Sequence, residues 1–219
     1  MEKTLLNDFP FTLDVAHIIT RLRLEDDEDI AQVTQMCTCF EKQTHPAALC
    51  ALVRIDEAGD DYVIMEGVRF DSRMVAVNLK NLNRACIYVA TCGTQAEELS
   101  KTYTDIFQSY AAEIIKETLV GVAGQYVREY ISRRYYAEKP LSFMSPGSLK
   151  EWPLTQQQPL FELLGGAHDI GVELTPSCLM LPHKSISGML FASDDNFVNC
   201  AFCPIDPCPG RRAEYQSDL

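Results

Sequence analysis

The sequence predicts an α+β chain, with helices in its middle and β-strands towards both ends. Three observations carry this. Arg84 to Thr91 (Arg-Ala-Cys-Ile-Tyr-Val-Ala-Thr) is an apolar run of strand length, suited to the centre of an antiparallel sheet. Thr94 to Tyr136 has helical periodicity, with Ala111, Ala112, Ile114, Ile115, Leu119, Val122 and Tyr126 on one face. Shorter runs of strand length flank that stretch, at Ala48 to Ile55 and Ile186 to Phe191.

Near the N-terminus, Leu13 to Leu22 and Glu28 to Phe40 place apolar residues at helical spacing, with the acidic turn Glu25-Asp26-Asp27-Glu28 between them. Ala48 to Ile55 and Tyr62 to Met65 flank Asp56-Glu57-Ala58-Gly59-Asp60-Asp61, which predicts a hairpin with a long polar loop. The central strand runs into Cys92-Gly93 and then Thr94-Gln95-Ala96-Glu97, whose spacing predicts a capping box. A helix break is expected before Ser109. Gly121 and Gly124 predict close packing, because glycine otherwise weakens a helix. Lys139 to Pro159 holds four prolines and little periodicity, so an extended connection is expected there. Thr155-Gln156-Gln157-Gln158 predicts a second capping box, with its helix ending at Gly165-Gly166. Leu174 to Leu181 and Ile186 to Phe191 are expected to pair as strands. One domain over residues 1–219 is expected, with a Cys- and Pro-rich tail at 199–219.

A content of 47% hydrophobic residues fills a core, and 23% charged residues cover a surface of ordinary globular kind. No basic stretch leading into an apolar segment opens the chain, and no apolar run approaches the roughly 20 residues of a membrane span. A soluble cytoplasmic protein without membrane association is expected. With 31 acidic and 19 basic residues the formal charge is -12, a field that repels the phosphates of nucleic acid. Nine cysteines without an export signal predict reduced thiols. Six of them (Cys37, Cys39, Cys50, Cys86, Cys92 and Cys178) sit among apolar neighbours and are expected to pack as small hydrophobes. The histidines, His17, His45, His168 and His183, are far apart and are expected at surface or packing positions. Glycine-rich nucleotide motifs, H-E-x-x-H and G-x-S-x-G are all missing.

The informative segment is Phe143 to Phe191. Met144-Ser145-Pro146-Gly147-Ser148 leads through Trp152-Pro153-Leu154 to the helical run Gln156 to Leu164. Ile170-Gly171-Val172-Glu173-Leu174-Thr175 follows, and then Leu181-Pro182-His183-Lys184-Ser185-Ile186-Ser187-Gly188. This order resembles the reactivation (activation) domain of cobalamin-dependent methionine synthase, and Arg84 to Gly93 with the helices after it is similar in order and length. The resemblance implies a twisted antiparallel sheet with helices packed around it. It also implies a role, in which the domain holds S-adenosylmethionine against the corrinoid of a neighbouring module. One electron and the donor's methyl group then restore methylcobalamin from inert Co(II), and the protein's contribution is positional.

By this resemblance the donor site comprises Met144, Ser145, Pro146, Gly147, Ser148 and Phe197, with Met144 to Ser148 lining a cleft and the corrinoid supplied by a partner. The family motif is Arg-x-x-Pro-Gly-Tyr. Pro146 and Gly147 match it, whereas Phe143 stands at the arginine position and Ser148 at the tyrosine position. A phenylalanine cannot make a charge-assisted bond to the donor's carboxylate. Two readings are open on the residues alone: a retained donor site with an altered grip, or a plain turn anchored by Trp152.

Cys200, Cys203 and Cys208 depart from the methionine synthase pattern, which continues here without cysteines. A C-x₂-C pair puts two thiolates on one turn, as in many zinc and iron–sulfur sites. Pro204, Pro207 and Pro209 stiffen the loop, and Arg211 and Arg212 beside it favour the thiolate. The three sulfurs are expected to converge on zinc or an iron–sulfur cluster, with a fourth ligand from Cys92, Cys178 or a partner. Three reduced thiols in a Pro-rich loop are the alternative. The functional expectation is an accessory protein that binds a methyl donor and docks on a corrinoid-binding protein or on methionine synthase modules. The alternatives are a redox or scaffold subunit of a corrinoid methyltransferase that no longer binds the donor, and a binding protein that reuses the fold for another ligand.

Overall fold

The computed structural model describes every residue except 138, 140, 193–196, 209–210 and 217–219. In chain order its elements are β1 (Lys3–Leu6), α1 (Val15–Leu22), α2 (Asp27–Gln43), β2 (Ala47–Ala58), β3 (Tyr62–Met65), β4 (Val68–Asp71), α3 (Arg73–Leu79) and β5 (Arg84–Thr91). Then come α4 (Thr94–Ser100), α5 (Ile106–Tyr135), β6 (Leu141–Met144), α6 (Gln157–Leu164), β7 (Glu173–Leu174), β8 (Met180–Leu181) and β9 (Ser185–Ala192). One antiparallel sheet has the order β4-β3-β2-β5-β9-β6, with β1 also paired to β2.

The predicted central strand is β5, residue for residue. It pairs along its whole length with β2, and from Cys86 to Thr91 with β9. Seven of its eight residues are buried, which is why its sequence lacks the alternation of a half-exposed strand. Cys86, Tyr88 and Leu190 on one face of the sheet meet Ala123, Val127 and Ile131 of α5. On the other face Val75 of α3, Leu160 of α6 and Trp152 pack with Leu49, Ile87 and Phe191. The 30-residue α5 also joins α1, α2 and α4 in a separate helical core. A Cβ at Gly124 would lie 2.7 Å from the Ile186 side chain, so this glycine lets α5 approach β9. Gly121 meets nothing within 4 Å, and close packing holds for only one of the pair.

Local geometry departs from expectation where side chains do other work. Asp56 and Glu57 extend β2 rather than forming a loop, and the Asp56 carboxylate accepts from Arg54 Nε (2.6 Å) and the Gly67 N–H (2.8 Å). Thr94 does not cap α4. Its N-cap is Gly93, and Glu97 instead accepts from the buried Lys116 at 3.0 Å. A short 3-10 turn, Leu154–Gln156, replaces the second box, while Gly165 (φ 65°) ends α6 as expected. The α4–α5 break lies before Ser109 as expected, at 101–105, where Asp105 accepts from the Gln108 N–H. Leu174 to Leu181 is not a strand beside β9. Its ends pair with each other as β7 and β8, and β9 pairs with β5 and β6. The unpredicted β1, β4, α3 and β6 are four to seven residues long, too short to show a period.

Cys37, Cys50, Cys86, Cys92 and Cys178 are buried, and Cys39 is half-buried. Burial pushes the Cys37 thiol up to about 11, and the Cys50, Cys86 and Cys92 thiols up to about 12. No described helix is long and apolar enough to cross a membrane. Iodoacetamide on native protein at mildly alkaline pH should therefore label Cys200, Cys203 and Cys208 and spare Cys50, Cys86 and Cys92, as read by peptide mass spectrometry. Labelling of Cys86 as fast as Cys203 would contradict this packing.

Candidate functional site

The edge strand β6 sets the geometry. Side-chain alternation sends Phe143 to the α5 face and Met144 into the opposite core. The chain then turns. The Ser148 N–H bonds the Ser145 carbonyl at 3.2 Å, with Pro146 and Gly147 between them and Gly147 at φ 82°. This is a type II turn, in which proline suits the second position and a positive φ is required at the third. The Gly147 N–H donates to the Trp152 carbonyl at 2.8 Å, closing a loop over the fully buried indole. A Cβ at Gly147 would also press on the Leu154 side chain, at 2.9 Å.

Asn199 locks the turn from a distant part of the chain. Its Nδ2 donates to Ser148 Oγ at 3.0 Å, Ser148 Oγ donates to the Ser145 carbonyl at 2.6 Å, and its Oδ1 accepts the Ser145 N–H at 3.4 Å. The asparagine is buried, and both ends of its amide are satisfied. Ser148 thus has its hydroxyl engaged within the turn. Sequence reasoning missed Asn199, because a single asparagine beside a cysteine motif carries no periodic or spacing signal.

Beneath the turn, β9 has no side chain at Gly188. A Cβ there would collide with the Met144 carbonyl and lie 3.0 Å from Ser145 Oγ. The gap leaves room for Ser145 on the face of the sheet where Tyr88 stands, opposite Gly188 in the β5–β9 register. Burial pushes the Tyr88 phenol up, and the charges of Arg128 and Arg212 pull it the other way. Arg128 projects from α5 with its guanidinium carbon 5.7 Å from the centre of the Phe143 ring. Burial holds it below the usual arginine range.

Of the expected site residues, Ser145, Pro146, Gly147 and Ser148 come together in this one turn. Met144 and Phe197 stand apart from these four in having buried side chains. That of Met144 is fully buried, because the pleat of β6 points it inward. The Phe197 ring stacks on Phe202 at 5.4 Å and tilts against Phe191 at 6.3 Å, packing the tail onto the sheet. The four histidines are exposed, as expected. A cleft of about 540 Å³ at the start of α4, lined among others by His45, Gly93, Gln95 and Asp169, contains none of the turn residues.

The cysteine loop closes differently from expectation. Arg211 donates to the carbonyls of Cys200 (3.0 Å), Cys203 (3.1 Å) and Ile205, so the backbone converges on a cation of the protein itself. Among the described residues, no three His, Cys, Asp or Glu side chains are gathered so as to hold a metal ion. Pro209, expected to stiffen the loop, lies outside the described residues.

An antiparallel sheet covered by helices on both faces, with an ordered Pro-Gly turn at its edge strand, defines an α+β domain of the activation-domain type. The family model described as the vitamin B12 dependent methionine synthase activation domain matches residues 70–199, more than half of the chain, and the chain belongs to that family. The match includes β6, the turn, Gly188 and Asn199, and ends before the first tail cysteine. A crystal structure of the MetH reactivation domain bound to AdoHcy is similar at a TM-score of 0.70 and 13% identity, over 90% of this chain and 80% of that one. At that identity the likeness is one of fold. No curated protein matches the sequence. Because a methyl group at residue 188 would meet backbone, Gly188→Ala should cost about 2 kcal/mol or more. Urea unfolding with an unchanged midpoint would show that β6 is not held as closely as described.

Proposed function

We propose that this chain is an accessory protein of corrinoid-dependent methyl transfer. In this reading it holds S-adenosylmethionine along β6 and the Ser145–Ser148 turn. It presents the methyl group to a corrinoid carried by a separate protein or by methionine synthase modules, for reductive remethylation of inactive cobalamin. The observation that supports this most is the type II turn in a chain of this family, with an exposed Gly147 fixed at the sheet edge by Asn199 and Trp152. A grip made by backbone tolerates side-chain changes at positions 143 and 148, since glycine lets a ligand approach the main chain closely. The MetH reactivation domain of similar fold was crystallised with AdoHcy, the form such a donor takes after losing its methyl group.

The task of the protein is positional. A sulfonium methyl must face the cobalt in line and at reacting distance, and holding it there turns an encounter into a step within one complex. An outside reductant supplies one electron to the partner's cobalt, and the methyl group then moves to it while the C–S bonding pair stays on sulfur. This chain's residues bind and orient. The edge of β6 offers N–H and C=O groups along its open side, the turn backbone offers more, and Gly188 lets the turn lie close on the sheet. Free thiols suit a reducing compartment, and we place the reaction in the cytoplasm.

The test is transfer of labelled methyl from S-adenosylmethionine to a methionine synthase cobalamin module held as Co(II) with a low-potential reductant. Adding the protein should raise the rate, and Gly147→Val should remove that gain by roughly tenfold or more through misplacement of the donor. Equal rates with and without the protein would contradict the proposal.

A further inference from the structure

We propose that Arg128, on α5, supplies the carboxylate-binding guanidinium that β6 does not carry at position 143. The inference rests on the donor site proposed above and names the group that would hold the donor's amino-acid end. Phe143 lies on the α5 side of β6, two residues before Ser145, which is about 7 Å along a strand. An arginine at 143 would have pointed into the space between β6 and α5. The phenyl ring leaves that space without a charge, and the Arg128 guanidinium enters it from the helix, 5.7 Å from the ring centre. The charge has moved from strand to helix while the place it serves has not.

Three features set Arg128 apart from an arginine that merely packs its stem. It is half-buried, yet no hydrogen bond or ion pair to a described residue sustains its charge. The neighbouring Glu129 is engaged elsewhere, with Arg133 at 3.2 Å and Gln125 at 3.0 Å. The charges acting on it include a second cation, Arg212, besides that carboxylate. A guanidinium has five N–H donors in a fixed fork, and taking it out of water without partners is costly. A half-buried guanidinium over the Phe143 ring, with no carboxylate bound to it among the described residues, is a locus that an anion relieves. A carboxylate satisfies the fork in two parallel bonds, and lysine cannot reproduce that geometry.

The experiment is calorimetric titration of the whole protein with S-adenosylmethionine and with decarboxylated S-adenosylmethionine, which has the same sulfonium and adenosine but no carboxylate. Arg128→Gln should weaken the first by about tenfold or more while leaving the second within about twofold. Arg128→Lys, which keeps the stem and the charge, should fall between. Phe143→Arg added to Arg128→Gln should recover most of the loss by returning the charge to the strand. Equal effects on both compounds, or none on either, would overturn the assignment to Arg128 and leave the donor site standing. Wild-type protein that binds neither compound would overturn the donor site and this assignment together.

Discussion

Residue 188 on β9 has no side chain, and that lets the end of β6 and the Pro-Gly turn lie close against the sheet. A Cβ there would collide with the Met144 carbonyl and lie 3.0 Å from Ser145 Oγ, at the first residue of the turn. Opposite Gly188 in the β5–β9 register stands the buried Tyr88, which also faces the space that the missing side chain leaves. The approach fails if residue 188 carries even a methyl group. Gly188 therefore decides where the Pro-Gly turn stands.

Two further restraints act from other directions. Trp152 lies fully buried beneath the loop, its carbonyl held by Gly147, although its indole N–H has no partner among the described residues. The ring's burial outweighs that loss, since a buried tryptophan removes about 150–250 Å² of surface from water. Asn199 draws the turn toward the tail, and Arg211 folds the tail onto its own carbonyls. The tail is thus part of the scaffold that orders the edge strand. The cysteines in it contribute backbone carbonyls to that scaffold.

How much of this was legible in the sequence follows from the range of the interactions. β5 was readable because a strand buried on both faces is apolar at every position, and its bounds are those of the run Arg84 to Thr91. Most of α5 was readable because its buried positions recur with the helical period. β6 was not, because four residues at a sheet edge, among prolines, show neither period nor continuity. Pro146 and Gly147 marked the turn through their own conformational limits. What holds the turn was hidden, since Asn199 is 51 residues from Ser148 and nothing local marks the pair. The spacing of the thiols at 200, 203 and 208 bounds how far apart the sulfurs can be and does not say which way they point, and no metal-holding group is gathered among the described residues. Thr94 and Thr155 matched a capping pattern, yet a left-handed glycine and a 3-10 turn began those helices instead.

The central claim is that a donor lies on β6 and the turn, and the most direct measurement is backbone amide NMR during titration with S-adenosylhomocysteine. The account predicts that the largest shifts fall on the amides of Phe143 to Ser148, with Gly188 and Asn199 following because they carry the turn. Shifts gathered instead around His45, Gly93 and Asp169, at the cleft beside α4, with the amides of the turn unmoved, would contradict it.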